Sequence, residues 1–131
     1  MLAHQWAYQR SGGRIGASLG GRPMLLLHTV GRRSGEPRTA TLLYATDGDR
    51  FVVVASRYGG PVNPGWYHNL LARPDAEIQV GRRRIPVRAH VAEGEERTKL
   101  WELADRVNKG GYTTYQARTE RQIPVVVLEP R

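Results

Sequence analysis

The sequence predicts a mainly β or α+β fold, in its simplest form a small antiparallel barrel of six strands with two to four short helices around it. Two observations lead to this prediction. Strand-like segments follow one another directly, and Asp47-Gly48, between two of them, is a strong hairpin turn. Strands and helices do not alternate, which argues against a parallel sheet. The 131 residues fit a single domain with its own core.

The chain begins with a segment that differs from the barrel. Residues 2–10 predict a short amphipathic helix, because their apolar side chains recur at helical spacing. Residues 11–23 contain five glycines and predict a flexible lead-in. We therefore divide the chain into an N-terminal segment, 1–23, and a barrel domain, 24–131.

Six segments are predicted to be strands because they combine apolar runs, β-branched residues and alternation with a period of two. They are residues 24–30, 39–50, 51–56, 76–80, 83–92 and 123–130. Gly81 supplies a second hairpin turn, between the fourth and fifth segments.

Three helices are predicted between the strands. Asn63 precedes Pro64 in the pattern of an N-cap followed by proline at the first helical position, so a helix is expected over 65–72. The longest helix is predicted for 93–108, where the apolar residues form one face. Residues 112–121 predict a short third helix.

The composition points to anion binding without proving it. The formal net charge is +8, and 18 of the 20 basic residues are arginine. Arginine binds phosphate and carboxylate through paired hydrogen bonds, although codon usage produces the same excess. The chain has no cysteine, which excludes disulfides and thiolate sites, and its four histidines lack metal-binding spacing. No segment has the length of an apolar membrane span.

The first candidate site is the turn that follows the first strand. Arg32, Arg33 and Arg38 surround a Ser-Gly-Glu-Pro bend, where backbone amides and the hydroxyl of Ser34 can join the guanidinium groups in binding an anion. The alternative is an ordinary hairpin turn whose arginines are solvated.

The second candidate site is the stretch 54–69. Ser56 and Arg57 lie where a buried strand meets a loop, and the following helix start directs free amides outward. Trp66 either lines this site or anchors the core.

The third candidate is the pair Tyr112 and Tyr115, which share one face if their segment is helical. Their rings allow stacking and their phenols donate protons, or the pair simply closes the barrel mouth. Phosphate-binding glycine motifs and a serine nucleophile elbow are absent. Any chemistry is therefore expected to belong to a bound cofactor.

Three stretches resemble the deazaflavin-dependent nitroreductase family, actinobacterial split β-barrel proteins that use coenzyme F420. They are HTVGRRSGEPRTATLLYATDGDRFVVVAS, NPGWYHNLLARPDAEIQV and YQARTERQIPVVVLEP, in the family's order. The similarity covers about residues 25–130. It implies an oxidoreductase that passes a hydride from reduced coenzyme F420 to an electron-poor acceptor: a quinone, a nitroaromatic or an activated enone. By analogy with other split barrels we expect a homodimer, and because the first residues lack the pattern of a signal peptide, we expect a cytoplasmic protein.

The resemblance also implies a set of contact residues. The turn would hold the cofactor's phosphate and oligoglutamate tail through Arg32, Arg33, Ser34 and Arg38. Four further segments would contact the deazaflavin, through Thr39, Ala40, Thr41, Leu42, Leu43, Val54, Ala55, Ser56, Arg57, Gly65, Trp66, Tyr67, His68, Asn69 and Tyr112. Ser56, Tyr112 and Tyr115 are the expected catalytic residues, since a hydroxyl there would supply the proton that completes the reduction.

Alternatives remain at this point. The same barrel could hold flavin mononucleotide. A basic nucleic-acid-binding module is less favoured, because the aromatic residues do not alternate with basic ones. Lys109-Gly110-Gly111 stands where nitroimidazole-active members carry a further tyrosine, so the resemblance leaves the small-molecule acceptor open. Trp6 in the first helix is the candidate for a peripheral membrane contact.

Overall fold

The computed structural model describes residues 22–131. The predicted helix at 2–10, with Trp6, and most of the lead-in lie outside this range. The strands are β1 (Met24–Val30), β2 (Pro37–Leu43), β3 (Ala45–Asp47), β4 (Arg50–Val54), β5 (Asp75–Val80), β6 (Arg83–Val91) and β7 (Val125–Pro130). The helices are α1 (Gly65–Ala72), α2 (Gly94–Val107) and α3 (Gly111–Gln116), and a 3-10 turn covers Arg57–Gly59. No helix within these residues is long and apolar enough to cross a membrane.

All seven strands form one antiparallel sheet in the order β2-β1-β5-β6-β7-β4-β3. β2 and β3 therefore lie at opposite edges, yet Tyr44 is the only residue between them. The two edges must approach each other at this corner, and β2 indeed contacts β4. The sheet is curled into a split barrel, which confirms the predicted fold.

The strand count of six was wrong by one because segment 39–50 divides at Tyr44. The Tyr44 N–H donates to the Pro23 carbonyl at 3.1 Å, which is the last bond in the β1–β2 register. Before this point β2 pairs with β1, and after it β3 pairs with β4. Both predicted hairpin turns are present, with Gly48 at φ 63° and Gly81 at φ 60°, in the left-handed region that favours glycine.

Two apolar cores explain the apolar runs 51–54 in β4 and 125–128 in β7. One face of β4, with Phe51 and Val53, packs inside the barrel against Leu70 of α1. The other face, with Val52 and Val54, packs on the outside against α2 and α3. A strand buried on both faces reads as a continuous apolar run rather than an alternating one.

The helices follow the prediction except at one cap and at the end of α3, which was predicted to reach residue 121 and ends at Gln116. α2 buries Leu100 and Ala104, and its acidic first turn and basic last turn complement the helix dipole. Asn63 was predicted to cap α1, but the residue before the helix is Pro64, which makes no side-chain capping bond. The Asn63 Oδ1 instead accepts a hydrogen bond from Arg121. The Asn63 side chain therefore bonds an arginine 58 residues further along the chain and not the free amides at the start of α1.

Candidate functional site

Two adjoining clefts open between β2, the loop after β4, and helices α1 and α3. The smaller one, the basic cleft, has a volume of about 370 Å³ and is lined by Thr29, Gly31, Arg32, Arg33, Ser34, Arg38, Thr39, Ala40, Gly65, Trp66 and Asn69. The larger one, the slot, has a volume of about 630 Å³ and is lined by Arg22, Met24, Thr39, Ala40, Thr41, Leu42, Leu43, Val54, Ser56, Arg57, Tyr58, Pro64, Trp66, Asn108, Tyr112 and Tyr115. Thr39, Ala40 and Trp66 line both, so the clefts form one continuous surface.

Most of the predicted site residues meet at this surface. The four turn residues line the basic cleft, and the three residues with predicted proton-donor roles line the slot. The sequence left two roles open for Trp66, lining the site or anchoring the core. The structure shows both, since Trp66 lines the clefts and packs against the barrel core. Ala55, Tyr67 and His68 lie outside both linings. Ala55 is fully buried, and the ring of Tyr67 packs on the core with His68 at its edge.

The basic turn is held in shape by its own backbone. The Gly31 N–H donates to the Glu36 carbonyl at 2.8 Å, and the Gly35 N–H donates to the Gly31 carbonyl at 2.9 Å. An added Cβ at Gly31 would lie 2.6 Å from the Ser34 Oγ, so a side chain there would displace the Ser34 hydroxyl. The bend therefore presents Arg32, Arg33 and Ser34 toward the basic cleft.

Glu36, for which the sequence indicated no role, bonds one of the arginines of the turn. Its Oε2 accepts a hydrogen bond from Arg38 Nη1 at 3.3 Å, while Arg38 Nη2 donates to Ser34 Oγ at 3.3 Å. An acidic group thus orients one of the three arginines. Because both members of this ion pair are more than half exposed, its strength is small and an entering anion can compete for the guanidinium.

Asn69 of α1 connects the helix to the turn. The Asn69 Oδ1 accepts from the Arg32 N–H at 3.0 Å, and its Nδ2 donates to the Thr29 Oγ1 at 3.1 Å. Asn69 and Thr29 are both buried. The side chain predicted as a ligand contact therefore also bridges two elements of the cleft wall.

We expect Asn69→Ala to lower the free energy of unfolding by about 1–3 kcal/mol, since the Thr29 hydroxyl and the Arg32 amide would lose their buried partner. Urea titration measures this loss. His68→Ala is the matched control, because it removes the preceding side chain of the same helix and leaves the bridge intact. An equal loss in both variants would contradict the bridging role.

The slot contains an unpaired buried group. Thr41 is buried, and its Oγ1 has no hydrogen-bond partner. Buried hydroxyls without a partner are rare in folded proteins, so such an atom on a cleft wall marks a place where a ligand can bond. With apolar Leu42, Leu43 and Val54 beside it, the slot suits a flat ring that carries polar atoms on its edge.

Tyr112 and Tyr115 lie on one face of α3, with ring centroids 6.3 Å apart. Their helix is fixed by Asp105 of α2, whose Oδ1 accepts from the backbone N–H groups of Tyr112 and Thr113 at 2.9 and 3.2 Å. A carboxylate at a helix N-terminus satisfies its free amides and complements its dipole. This cap comes from another helix, so no local pattern in α3 reveals it.

Burial raises the pKa of the Tyr112 phenol well above its usual value, and neighbouring Tyr115 adds to the shift. The phenol therefore keeps its proton throughout the neutral and mildly alkaline range. Unfolding exposes Tyr112, which then ionises near its ordinary pKa of about 10.

The protein should accordingly lose stability as the pH rises above about 10, because the unfolded chain then releases a proton that the folded chain retains. Tyr112→Phe removes this contribution, so the melting temperature of the variant should fall less steeply above pH 10 than that of the parent. Parallel melting curves from about pH 8 to pH 11 test this prediction. Identical slopes would show that Tyr112 does not cause the effect.

Arg121 is a further residue of the site region that sequence analysis missed. Its guanidinium donates to the carbonyls of Ala55, Ser56 and Gly60 and to the Asn63 Oδ1, at 2.5–3.1 Å. These acceptors span the loop that carries Ser56 and Arg57 to the slot. The only signal in the sequence is one more arginine among many.

The fold and the clefts together define a class: a split-barrel protein in which an arginine-lined cleft adjoins a slot with apolar walls. Comparison with known proteins agrees. The family model described as F420H(2)-dependent quinone reductase matches residues 1–130. An F420H(2)-dependent quinone reductase of Mycobacterium tuberculosis is 47% identical over 131 residues, which cover 98% of this chain and 88% of that protein.

Two solved structures are similar as well. The F420-H2 dependent reductase FDR-A is 38% identical, with a TM-score of 0.76, over 82% of this chain and 95% of its own. A structure described as a domain-swapped dimer is 34% identical, with a TM-score of 0.78, over 98% of this chain and 96% of its own.

The chain belongs to the F420H(2)-dependent quinone reductase family. This confirms the predictions of an oxidoreductase and of coenzyme F420 as its cofactor. The match also begins at residue 1, so the family similarity extends further toward the N-terminus than the range 25–130 inferred from the motifs. The division at residue 23 stays a prediction.

Proposed function

We propose that this protein transfers a hydride from reduced coenzyme F420 to a quinone, with the cofactor's tail in the basic cleft and its ring in the slot. The observation that carries the proposal is the continuity of the two clefts through Thr39, Ala40 and Trp66. A ligand with a phosphodiester and carboxylates at one end and a flat ring at the other needs such a pair of environments side by side.

In this proposal the turn binds the tail. Arg32, Arg33 and Arg38 would receive the phosphate and carboxylate oxygens, and Ser34 would add a hydroxyl donor. Charge-assisted hydrogen bonds of this kind are the strong ones among hydrogen bonds, and guanidinium matches an oxyanion with two donors at once. The three groups repel one another without an anion between them, which favours a ligand of high negative charge.

The slot would bind the ring. Reduced coenzyme F420 supplies the hydride when it is bound. The Thr41 hydroxyl, which has no hydrogen-bond partner, would bond a polar atom on the ring edge, and Val54 and the neighbouring leucines would exclude water from one face. The acceptor would then lie against the other face, on the side of Tyr112 and Tyr115.

A hydride converts a quinone into the hydroquinone anion, so one proton completes the reduction. Ser56, Tyr112 and Tyr115 each bring a hydroxyl to the slot. Tyr115 is the most suitable donor, because Tyr112 is buried and holds its proton tightly, and the alcohol of Ser56 is a weaker acid than a phenol. Nitroaromatics and activated enones accept a hydride in the same way and are secondary acceptors in this proposal.

We also infer a homodimer. The support is the similar structure described as a domain-swapped dimer, which matches almost the whole of this chain. Light scattering coupled to gel filtration would give a mass near twice that of the 14.7 kDa chain. A mass of one chain at micromolar concentration would contradict the inference.

The function is tested in two measurements. Titration with oxidised coenzyme F420 should quench its fluorescence at saturable protein concentrations, and the reduced coenzyme should be oxidised when a soluble quinone such as menadione is added. Absence of both results would overturn the proposal. A purified protein that is yellow and shows a flavin spectrum would instead favour a flavin in the slot.

A further inference from the structure

The loop after β4 has an unusual backbone. Arg57 and Tyr58 are consecutive non-glycine residues with positive φ, 46° and 56°, and Gly59 follows at 79°. The left-handed region costs a residue with a side chain about 1–2 kcal/mol. Two such residues in a row persist only where the surrounding structure holds them, and this kind of strain is concentrated at functional sites.

Arg121 is the group that holds this loop. It donates to the Ala55 and Ser56 carbonyls on the near side of the strained turn and to the Gly60 carbonyl and Asn63 Oδ1 on the far side. Among residues 22–131, none of the ion pairs includes Arg121. Its donors serve the shape of the loop rather than a carboxylate.

The loop presents an aromatic ring to the slot. Tyr58 is 77% exposed, although it lines the slot. Its ring meets that of Tyr115 edge to face at 5.8 Å, and Tyr115 in turn meets Tyr112 at 6.3 Å. Tyr58 is thus the outermost of the three tyrosine rings that line the slot. A side chain so exposed contributes little to the core, so folding alone does not explain why its backbone is strained.

We propose that Tyr58 is a specificity-determining residue, which packs against the flat ring of the acceptor at the outer end of the slot, and that Arg121 is the positioning residue that keeps it there. The inference rests on the proposed quinone reduction and names the residue that recognises the quinone. An electron-poor ring packs favourably against an electron-rich phenol ring, whereas a non-aromatic acceptor gains less from this contact.

The test compares Tyr58→Ala, Tyr58→Phe and Tyr58→Gly. Tyr58→Ala should raise the KM for menadione about tenfold, the scale of one aromatic contact, with the dissociation constant for coenzyme F420 unchanged. Tyr58→Phe keeps the ring and should retain the parent KM. Tyr58→Gly removes both ring and strain, so it should melt at a higher temperature than Tyr58→Ala and share its high KM.

Val62→Ala is the matched control, since Val62 is an exposed apolar residue of the same loop that does not line the slot. It should retain the parent KM. A parent KM in Tyr58→Ala, or an equal rise in Val62→Ala, overturns the inference about Tyr58. If the parent protein binds coenzyme F420 but oxidises its reduced form with no quinone, the proposed function fails instead, so the two failures are distinguishable.

The positioning role is tested with Arg121→Met and Arg121→Lys. Arg121→Met should raise the KM for menadione by a similar factor, and adding Tyr58→Ala to it should give little further rise. Arg121→Lys keeps the charge with fewer directed donors and should fall between parent and Arg121→Met. Arg97→Met is the control, because Arg97 is a partly buried arginine that donates to the Ile123 carbonyl and does not bond the loop. If the effects of Tyr58→Ala and Arg121→Met on the KM are fully additive, the positioning role is overturned. If Arg121→Met does not fold, the decision falls to Arg121→Lys, and a parent KM in that variant overturns the role.

Discussion

The double variant Arg32→Ala/Arg38→Ala is expected to bind coenzyme F420 about 100-fold more weakly than the parent protein. Each arginine would lose a charge-assisted hydrogen bond to the tail, worth about 1.5 kcal/mol at an exposed position, and two such losses give about 3 kcal/mol. The Arg38 guanidinium is hydrogen-bonded to Ser34 and Glu36, and the backbone N–H of Arg32 is hydrogen-bonded to Asn69. These bonds limit the positions that the two side chains can take. Fluorescence quenching by the protein measures the dissociation constant.

Two comparisons separate a tail site from a general effect of charge. A tail-free analogue of the cofactor, which lacks the phosphate and glutamates, should bind the variant and the parent almost equally. Arg82→Ala/Arg83→Ala removes the same charge from the exposed β5–β6 turn, outside both clefts, and should change the affinity for the full coenzyme little. If the Arg32→Ala/Arg38→Ala variant loses affinity equally for the full coenzyme and for the tail-free analogue, the assignment of the basic cleft to the tail is contradicted.

Gly59→Ala is expected to destabilise the protein by about 2–4 kcal/mol and to abolish most of the quinone reductase activity. An added Cβ would lie 2.6 Å from the Tyr115 carbonyl oxygen and 3.1 Å from the Arg118 Cβ, and φ at this position is 79°. A backbone oxygen cannot rotate away as a flexible side chain can. The collision would push the 3-10 turn away from α3, and these two elements carry the three tyrosine rings of the slot.

Gly48→Ala separates the collision from the backbone strain. Gly48 also has a positive φ, 63°, but an added Cβ there meets nothing within 4 Å. It should cost about 1 kcal/mol in urea unfolding and leave the activity unchanged. Similar losses in the two variants would mean that close packing of the turn against α3 is unimportant.

The local parts of the fold could be predicted from the sequence because their causes are local. Gly48 and Gly81 form hairpin turns, and the 93–108 pattern forms α2, since short-range conformational preferences and the period of apolar residues determine both. The one break that was missed, at Tyr44, depends on a carbonyl of Pro23 and on which edge strand each half joins. Asn63 failed as a cap for the same reason, because a distant arginine competes for its side chain.

The candidate site likewise contains parts that short sequence motifs indicate and parts that depend on distant residues. The arginine-rich turn, the Ser-Arg strand end and the tyrosine pair are short motifs, and their resemblance to a family in the expected order was enough to indicate coenzyme F420. Tyr58 stands beside Ser56 and Arg57 and was passed over, because only the positive φ and the edge contact with Tyr115 distinguish it from an exposed loop residue. Glu36 was read as part of a turn and not as a partner of Arg38.

The sequence by itself determined the class of fold, the arginine-rich turn and, through the resemblance of its motifs, the family with its cofactor, since these depend on residue types that are neighbours along the chain. Only the tertiary structure decided how the motifs become one surface. The bond from Asn69 to Arg32 spans 37 residues, and those from Arg121 to the loop after β4 span 58 to 66. The curl of the sheet brings residues at such separations together in space and so determines which of them form hydrogen bonds. These partners cannot be predicted from the spacing of residues along the chain.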